Sequence, residues 1–288
     1  MEILIYGFIN SAILALMAMG FTLVYGVSRL ANFAHGALYV FTGFVSWFFF
    51  VRIGLSYPLS IAIALFATAL VGAAIYHTFM VRVRGMEASE VIGFIAIGLV
   101  IIEFLRWSGF VGHGFALPAF TRTMIFVGGV PVDLQRVIIV GSMLLIGAFL
   151  WLFTHYTRVG LAFSAVAQDE QAAMMLGMDS DRISMLSLTL GSGLAGVAAV
   201  LIIPLGNLNI EAGYSVLIYA VAVCIVGGLG SWPGAIIASF IIGFGQMLTE
   251  RFIASQYQSV FAMAAIVITL LLKPSGIFGK QKELEERV

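Results

Sequence analysis

Runs of about 17–25 apolar residues recur along the chain, each long enough at helical rise to cross a hydrocarbon layer. They fall near residues 3–25, 34–51, 59–81, 91–107 and 137–153, then near 183–203, 215–229, 235–249 and 259–272. The pattern predicts an all-α integral membrane protein, a polytopic helical bundle of about nine spans. The seventh and eighth runs are short and separated only by residues 230–234. They also read as one hairpin that does not cross fully, which would leave eight. Turn formers mark the breaks, as at Tyr57-Pro58, Gly128-Gly129 and Trp232-Pro233-Gly234.

The lysines and arginines orient this bundle. With an external N-terminus, Arg29, Arg82, Arg84, Arg158, Arg182, Lys273, Lys280, Lys282 and Arg287 fall on the cytoplasmic side. Only Arg52, Arg106, Arg122, Arg136 and Arg251 then fall outside. Within a single transmembrane domain over 1–288, the longest non-membrane stretches become an external loop at 108–136 and a cytoplasmic loop at 154–182. Met1 and Glu2 supply no positive segment ahead of the first run, which reads as a retained span and not a cleaved signal. Residues 279–288 read as a charged, solvated end.

Composition agrees with a lipid solvent. Hydrophobic residues make up 61% and charged ones 10%, with mean hydropathy +1.10. A soluble domain carries about a quarter charged residues, and one this apolar would expose aggregating patches. A formal charge of zero offers no basic field for nucleic acid. The single cysteine, Cys224, cannot form an internal disulfide and reads as a small buried apolar residue. The sequence holds no H-E-x-x-H, no G-x-S-x-G and no P-loop. Its four histidines, His35, His77, His113 and His155, are too scattered to suggest a metal site. No cofactor or metal is expected in this chain. Active transport would draw on a partner subunit or an ion gradient.

Two interrupted stretches point to a path. Residues 26–36 bring Gly26, Asn32, His35 and Gly36 into apolar sequence, and residues 204–214 bring Pro204, Gly206, Asn207, Asn209, Gly213 and Tyr214. One follows the first span and the other the sixth, and those spans start on opposite sides. The first four and last four crossings therefore read as possible inverted repeats, whose matching broken helices mark a transport site. Two ordinary loops rich in turn formers are the plain alternative. Glu103 and Arg106, three residues apart, read either as a gate or as a local ion pair. Gly191, Ser192, Gly193, Ala195, Gly196, Ala198 and Ala199 would allow close helix approach in the sixth span.

In the inner loop, Asp169 is placed to cap a short helix and Gly177 to stop it. Between them lie Ala172, Ala173, Met174, Met175 and Leu176. So apolar a helix outside the spans suggests a docking knob for another protein, or a helix lying on the membrane surface.

The chain resembles the permease subunits of the branched-chain amino-acid class of ABC importers, the LivH-like kind in particular. The residues that carry this resemblance are Gly20-Phe21-Thr22-Leu23-Val24-Tyr25-Gly26 with Asn32-Phe33-Ala34-His35-Gly36, then Thr157-Arg158-Val159-Gly160, Ala167-Gln168-Asp169, Leu176-Gly177-Met178 and Asp181-Arg182. Val226-Gly227-Gly228-Leu229-Gly230-Ser231, Pro233-Gly234-Ala235 and the stretch from Lys273 to Gly279 follow in the family's order. Several members of the family carry an acid directly after the His-Gly pair, where this chain has Ala37.

The resemblance implies an ABC permease fold related to sugar-importing permeases, in a bacterial inner membrane. It implies as partners a homologous second permease subunit or a second copy, two cytoplasmic ATPase subunits that would hold ATP and Mg, and an external substrate-binding protein. The segment around Asp169 and Gly177 would be the coupling helix, with Arg158, Gly160, Asp169, Ala172, Ala173, Met175 and Gly177 as its coupling residues. Asn32, Phe33, His35 and Gly36, with Asn207, Asn209 and Tyr214, would lie along the translocation path. The cargo would be a small amino-acid-like solute, most simply a branched-chain amino acid, although the family extends to amides, urea and aromatic acids. Three other readings stay open: an ion-coupled secondary transporter using Glu103, an intramembrane enzyme using His35 as a base, and a scaffold without a path.

Overall fold

The computed structural model describes residues 1–109, 115–121, 123–206 and 209–279. His113, Arg122, Asn207, Lys280, Lys282 and Arg287 lie outside the described residues. Each of the nine expected apolar runs forms a helix. Seven described helices are long and apolar enough to cross a membrane: Glu2–Ser28, Tyr57–Val83, Ala88–Trp107, Leu134–Tyr156, Ser180–Leu205, Trp232–Phe252 and Ser255–Leu272. The other two, His35–Trp47 and Ala212–Gly227, are shorter.

The first helix, α1 (Glu2–Ser28), ends on Arg29 in the left-handed region at φ 57°. That turn sends the chain back into the bundle. At the first residue of α2 (His35–Trp47), the imidazole Nε2 meets the Met17 carbonyl oxygen at 2.9 Å. Met17 lies about 16 Å before the end of α1 at 1.5 Å per residue, so α2 starts deep between its neighbours. It widens into a π-helical turn over Phe48–Arg52. Next, α3 (Tyr57–Ile75) continues through a π-helical turn, Tyr76–Met80, into the short α4 (Val81–Val83).

After α5 (Glu87–Trp107) comes a small hairpin, β1 (Met124–Val127) with β2 (Val130–Asp133). This hairpin departs from the all-helical expectation. Gly128 and Gly129, at φ 57° and 82°, make the two-residue turn that needs positive φ at both positions. The chain proceeds through α6 (Leu134–Tyr156), α7 (Arg158–Gln168), α8 (Glu170–Met175) and α9 (Ser180–Ile202). Then α10 (Ala212–Gly227), α11 (Trp232–Phe252) and α12 (Gln258–Leu272) complete the bundle.

The run expected near 235–249 is longer than its apolar centre. Ser231 caps α11 by accepting from the Gly234 N–H, Pro233 fits the first turn, and Arg251 sits in the last. At 21 residues α11 is long enough to cross. α10, at 16 residues, is shorter.

Contacts sort the molecule into two ends. The start of α1 meets the hairpin through Tyr6, whose hydroxyl donates to the Pro131 carbonyl at 2.9 Å. Arg84, Glu170 and Asp181 meet at the opposite end. There too Gly26 of α1 rests on Gly230, and the backbone N–H groups of Ile277 and Phe278 donate to the carbonyls of Val226 and Gly227.

Two points of backbone-on-backbone contact hold the centre. A Cβ on Gly20 would strike the Gly191 carbonyl oxygen at 2.5 Å, and one on Gly191 the Gly20 oxygen at 2.8 Å. Gly36 and Gly213 relate in the same reciprocal way, each facing the other's carbonyl. Lipid tails are as apolar as leucine, so van der Waals packing at such small residues drives helix association. Polar pins add to it: the Thr42 and Thr68 hydroxyls bridge α2 and α3 at 2.7 Å, and Asn10 donates to the Gly243 carbonyl and Gln246 on α11. Cys224 is fully buried among Phe21, Ala220 and their neighbours.

Gly36→Ala is expected to lower the melting temperature of the detergent-purified chain, through an overpacking cost of about 1–3 kcal/mol. Gly141, with nothing within 4 Å of a Cβ, should accept alanine within about 0.5 kcal/mol. Equal melting of the two variants would show that the α2 and α10 backbones do not meet.

Candidate functional site

The two interrupted stretches converge where Gly36 crosses Gly213. Beside that crossing opens an apolar cleft. Phe33, Gly36 and Ala37 form one wall and Gly213, Tyr214 and Leu217 a second; Ile95, Gly98, Leu99 and Ile102 of α5 close it. Three of the expected path residues, Phe33, Gly36 and Tyr214, thus line one cavity.

The others divide. Asn209 spends its side chain on the start of α10, accepting from the Ala212 N–H at 2.7 Å. Asn207 lies outside the described residues. Asn32 and His35 are wholly buried. Since the Met17 carbonyl can only accept, Nε2 of His35 carries the proton and Nδ1 is left an acceptor, with no hydrogen bond. Neither polar atom of the Asn32 side chain has a partner. A buried amide left this way forfeits roughly 1–3 kcal/mol.

The inner loop forms as its capping residues foretell. Thr157 caps α7 by accepting from the Gly160 N–H at 3.0 Å. Gly160 is buried at the α6–α7 corner, where a Cβ would strike the Phe153 carbonyl. Asp169 caps α8, accepting from the Ala172 N–H at 2.9 Å, and Gly177 ends the segment at φ 84°. On α8 only Ala173 is buried. Met175 is 89% exposed and the following Leu176 80%, with Met174 and Ala172 also on the surface. Arg158, the first residue of α7, is exposed.

One cluster escaped the sequence reading, because its members come from segments far apart in the chain. Arg84, just after α4, donates from Nη1 to Asp181 at 2.5 Å and to the Tyr76 hydroxyl at 3.0 Å. From Nη2 it donates to Ser180 at 2.9 Å and to Glu170. Burial alone would push the Arg84 guanidinium down, but the bond to Asp181 and the surrounding negative charge outweigh it and hold the group above its usual range. Its sequence signal is no more than one of two arginines, Arg82 and Arg84, that follow the long apolar run ending near Val81. Glu103 and Arg106 do pair, at 2.6 Å, with side chains 60% and 45% exposed. That geometry is a local surface pair, and it leaves an ion-driven mechanism without a buried acid there. Among the described residues no group of three or more His, Cys, Asp or Glu is placed to hold a metal.

Residues 3–270 match the family model described as the branched-chain amino acid transport system permease component. The chain belongs to this family. It is 32% identical to the high-affinity branched-chain amino acid transport system permease protein LivH of Escherichia coli, over 92% of this chain and 91% of that one. Similarity to LivM, a second permease protein of that transport system in the same organism, is 24% over 47% of this chain and 32% of LivM. In fold it is similar to PsaBC from Streptococcus pneumoniae in complex with Fab, at TM-score 0.51 and 15% identity, covering all of this chain and 96% of the other. This permease is a multi-pass membrane component of an ABC transporter, a transport subunit and not an enzyme.

Asn32→Leu in this permease is expected to leave the melting temperature unchanged or raised, since it removes an unpaired buried amide at similar volume. Substrate uptake should fall in the same variant. A lower melting temperature with unchanged uptake would assign Asn32 to the scaffold.

Proposed function

We propose that this permease forms half of the translocation pathway of an ATP-driven importer for branched-chain amino acids. Its partners would be a LivM-like second permease, two cytoplasmic ATPase subunits that hold ATP and Mg, and an external substrate-binding protein. The observation that carries the energy-coupling part is the exposed tip of α8. Met174, Met175 and Leu176, adjacent and exposed on a capped helix beyond the ends of the spans, make a contiguous apolar patch of the kind that marks an interaction site. The end bearing α8 also bears Arg29, Arg82, Arg84, Arg158, Arg182 and Lys273, which supports a cytoplasmic placement for 154–182 and an external one for 108–136. Docked there, α8 would be pushed by ATPase closure.

Packing supports nine crossings arranged as inverted repeats. Paired as α1 with α9, α2 with α10, α3 with α11 and α5 with α12, the helices exchange partners consistently. As α1 packs on α10 and α11, so α9 packs on α2 and α3; as α2 packs on α3 and α5, so α10 packs on α11 and α12. The reciprocal contacts Gly20–Gly191 and Gly36–Gly213 then sit on the pseudo-twofold axis. Kinship with sugar-importing permeases rests on the sequence resemblance alone. The cleft at that crossing, with its almost wholly apolar lining, suits an aliphatic side chain better than an amide or urea.

The test begins with recovery of the complex from membranes in mild detergent, where a second permease and P-loop ATPases should copurify. Met175→Glu should keep the bundle intact, because Met175 touches little of it, while ATPase subunits are lost from the complex. A chain that purifies alone, or a Met175→Glu complex that transports normally, would overturn the docking assignment.

A further inference from the structure

The geometry points to Arg84 as a positioning residue: its guanidinium is the strut through which α8 is held to α3 and α9. The inference rests on the reading of α8 as the ATPase-docking helix.

Little apolar contact anchors α8. It is six residues long, its only buried residue is Ala173, and the chain leaves it through Gly177 at φ 84°. A short helix so attached would swing under load if its connections were its only restraint. The restraint present is polar. Glu170, the first residue of α8, accepts from both Arg84 and Ser180. The same guanidinium grips Asp181 in the first turn of α9 and the hydroxyl of Tyr76, which follows α3 and itself donates to Asp181 at 2.9 Å. One side chain thus ties the knob to two long helices that cross the bundle.

Arginine suits this task because its planar fork presents donors on two edges at once, which a lysine ammonium cannot reproduce. The Arg84 side chain is 19% exposed, and water competes less well for it than for an open surface pair. Without it, Glu170 and Asp181 would stand as two carboxylates around Ser180, repelling each other and pushing α8 away from α9. Helix α9 carries Gly191 at its crossing with α1, while α3 pins α2 through the Thr42–Thr68 bridge. A displacement of α8 therefore reaches, through Arg84, the helices that frame the Gly36–Gly213 crossing.

The experiment compares wild type, Arg84→Gln, Arg84→Lys, Glu170→Gln and the Arg84→Gln/Glu170→Gln double variant in the assembled importer, reconstituted with its binding protein. Hydrogen exchange over residues 169–180 reads the strut, and substrate transported per ATP hydrolysed reads coupling. Arg84→Gln should speed exchange in that segment and lower the transport-to-hydrolysis ratio roughly threefold to tenfold. Arg84→Lys should fall between. The double variant should be no worse than Arg84→Gln alone, because both changes break one connection.

If Arg84→Gln fails to accumulate, Glu170→Gln, which removes only the knob end of the strut, carries the same comparison. Wild-type exchange and coupling in Glu170→Gln, or additive losses in the double variant, would overturn the strut. Met175→Glu separates the two claims. Coupling lost with Met175→Glu and kept with Arg84→Gln removes the strut and leaves the docking helix standing. Normal coupling with Met175→Glu removes the docking helix itself.

Discussion

Lipid offers no hydrogen bonds to a bare backbone, so every polar group of the chain that enters it must find a partner inside the protein. For helices that cross from surface to surface this demand is met along their own length. It becomes acute for α2 and α10, which begin among their neighbours. Their first turns are served by local acceptors: the His35 N–H donates to the Asn32 carbonyl, the Ala212 N–H to Asn209, and the Gly213 N–H to the Ile210 carbonyl. Much of the architecture follows from sheltering these two starts. Glycines let the two backbones touch at Gly36 and Gly213, and the turn before α2 is covered by protein at Asn32 and His35.

The same constraint explains why polar residues deep in the bundle fall into two kinds. Thr42, Thr68, Asn10 and Gln246 are paired across helices and act as pins. Asn32 and the Nδ1 of His35 are not paired, although they lie as deep. Hydroxyls of Thr22, Ser46, Ser184 and Ser192 share that state. Asn32 and His35 stand next to Phe33 and Gly36, which face the apolar cleft.

The sequence makes the helices legible because span length and apolarity are local properties. It also makes the cap at Asp169 legible, since capping reaches only three residues ahead. The full length of α11 was underread because its ends, Trp232-Pro233 and Glu250-Arg251, are helical without being apolar. The small hairpin hides in a polar connection where four-residue strands leave almost no pattern. Arg84 could not be found at all by spacing. Its partners lie 86 and 97 residues further along the chain, and only folding brings Glu170 and Asp181 to it. Asn209 is readable as a break but not as a cap, because neighbouring Asn207, Gly206 and Glu211 offer the same turn chemistry.

The burial of Cys224 has a practical side. The only thiol in the chain is sealed inside a helix crossing and beyond the reach of polar reagents in the native fold. A cysteine introduced on an exposed site would then be the one group a maleimide label meets, without first stripping the chain of its own sulfhydryl. Spectroscopic rulers can be fixed at either end of this bundle on an otherwise unaltered background.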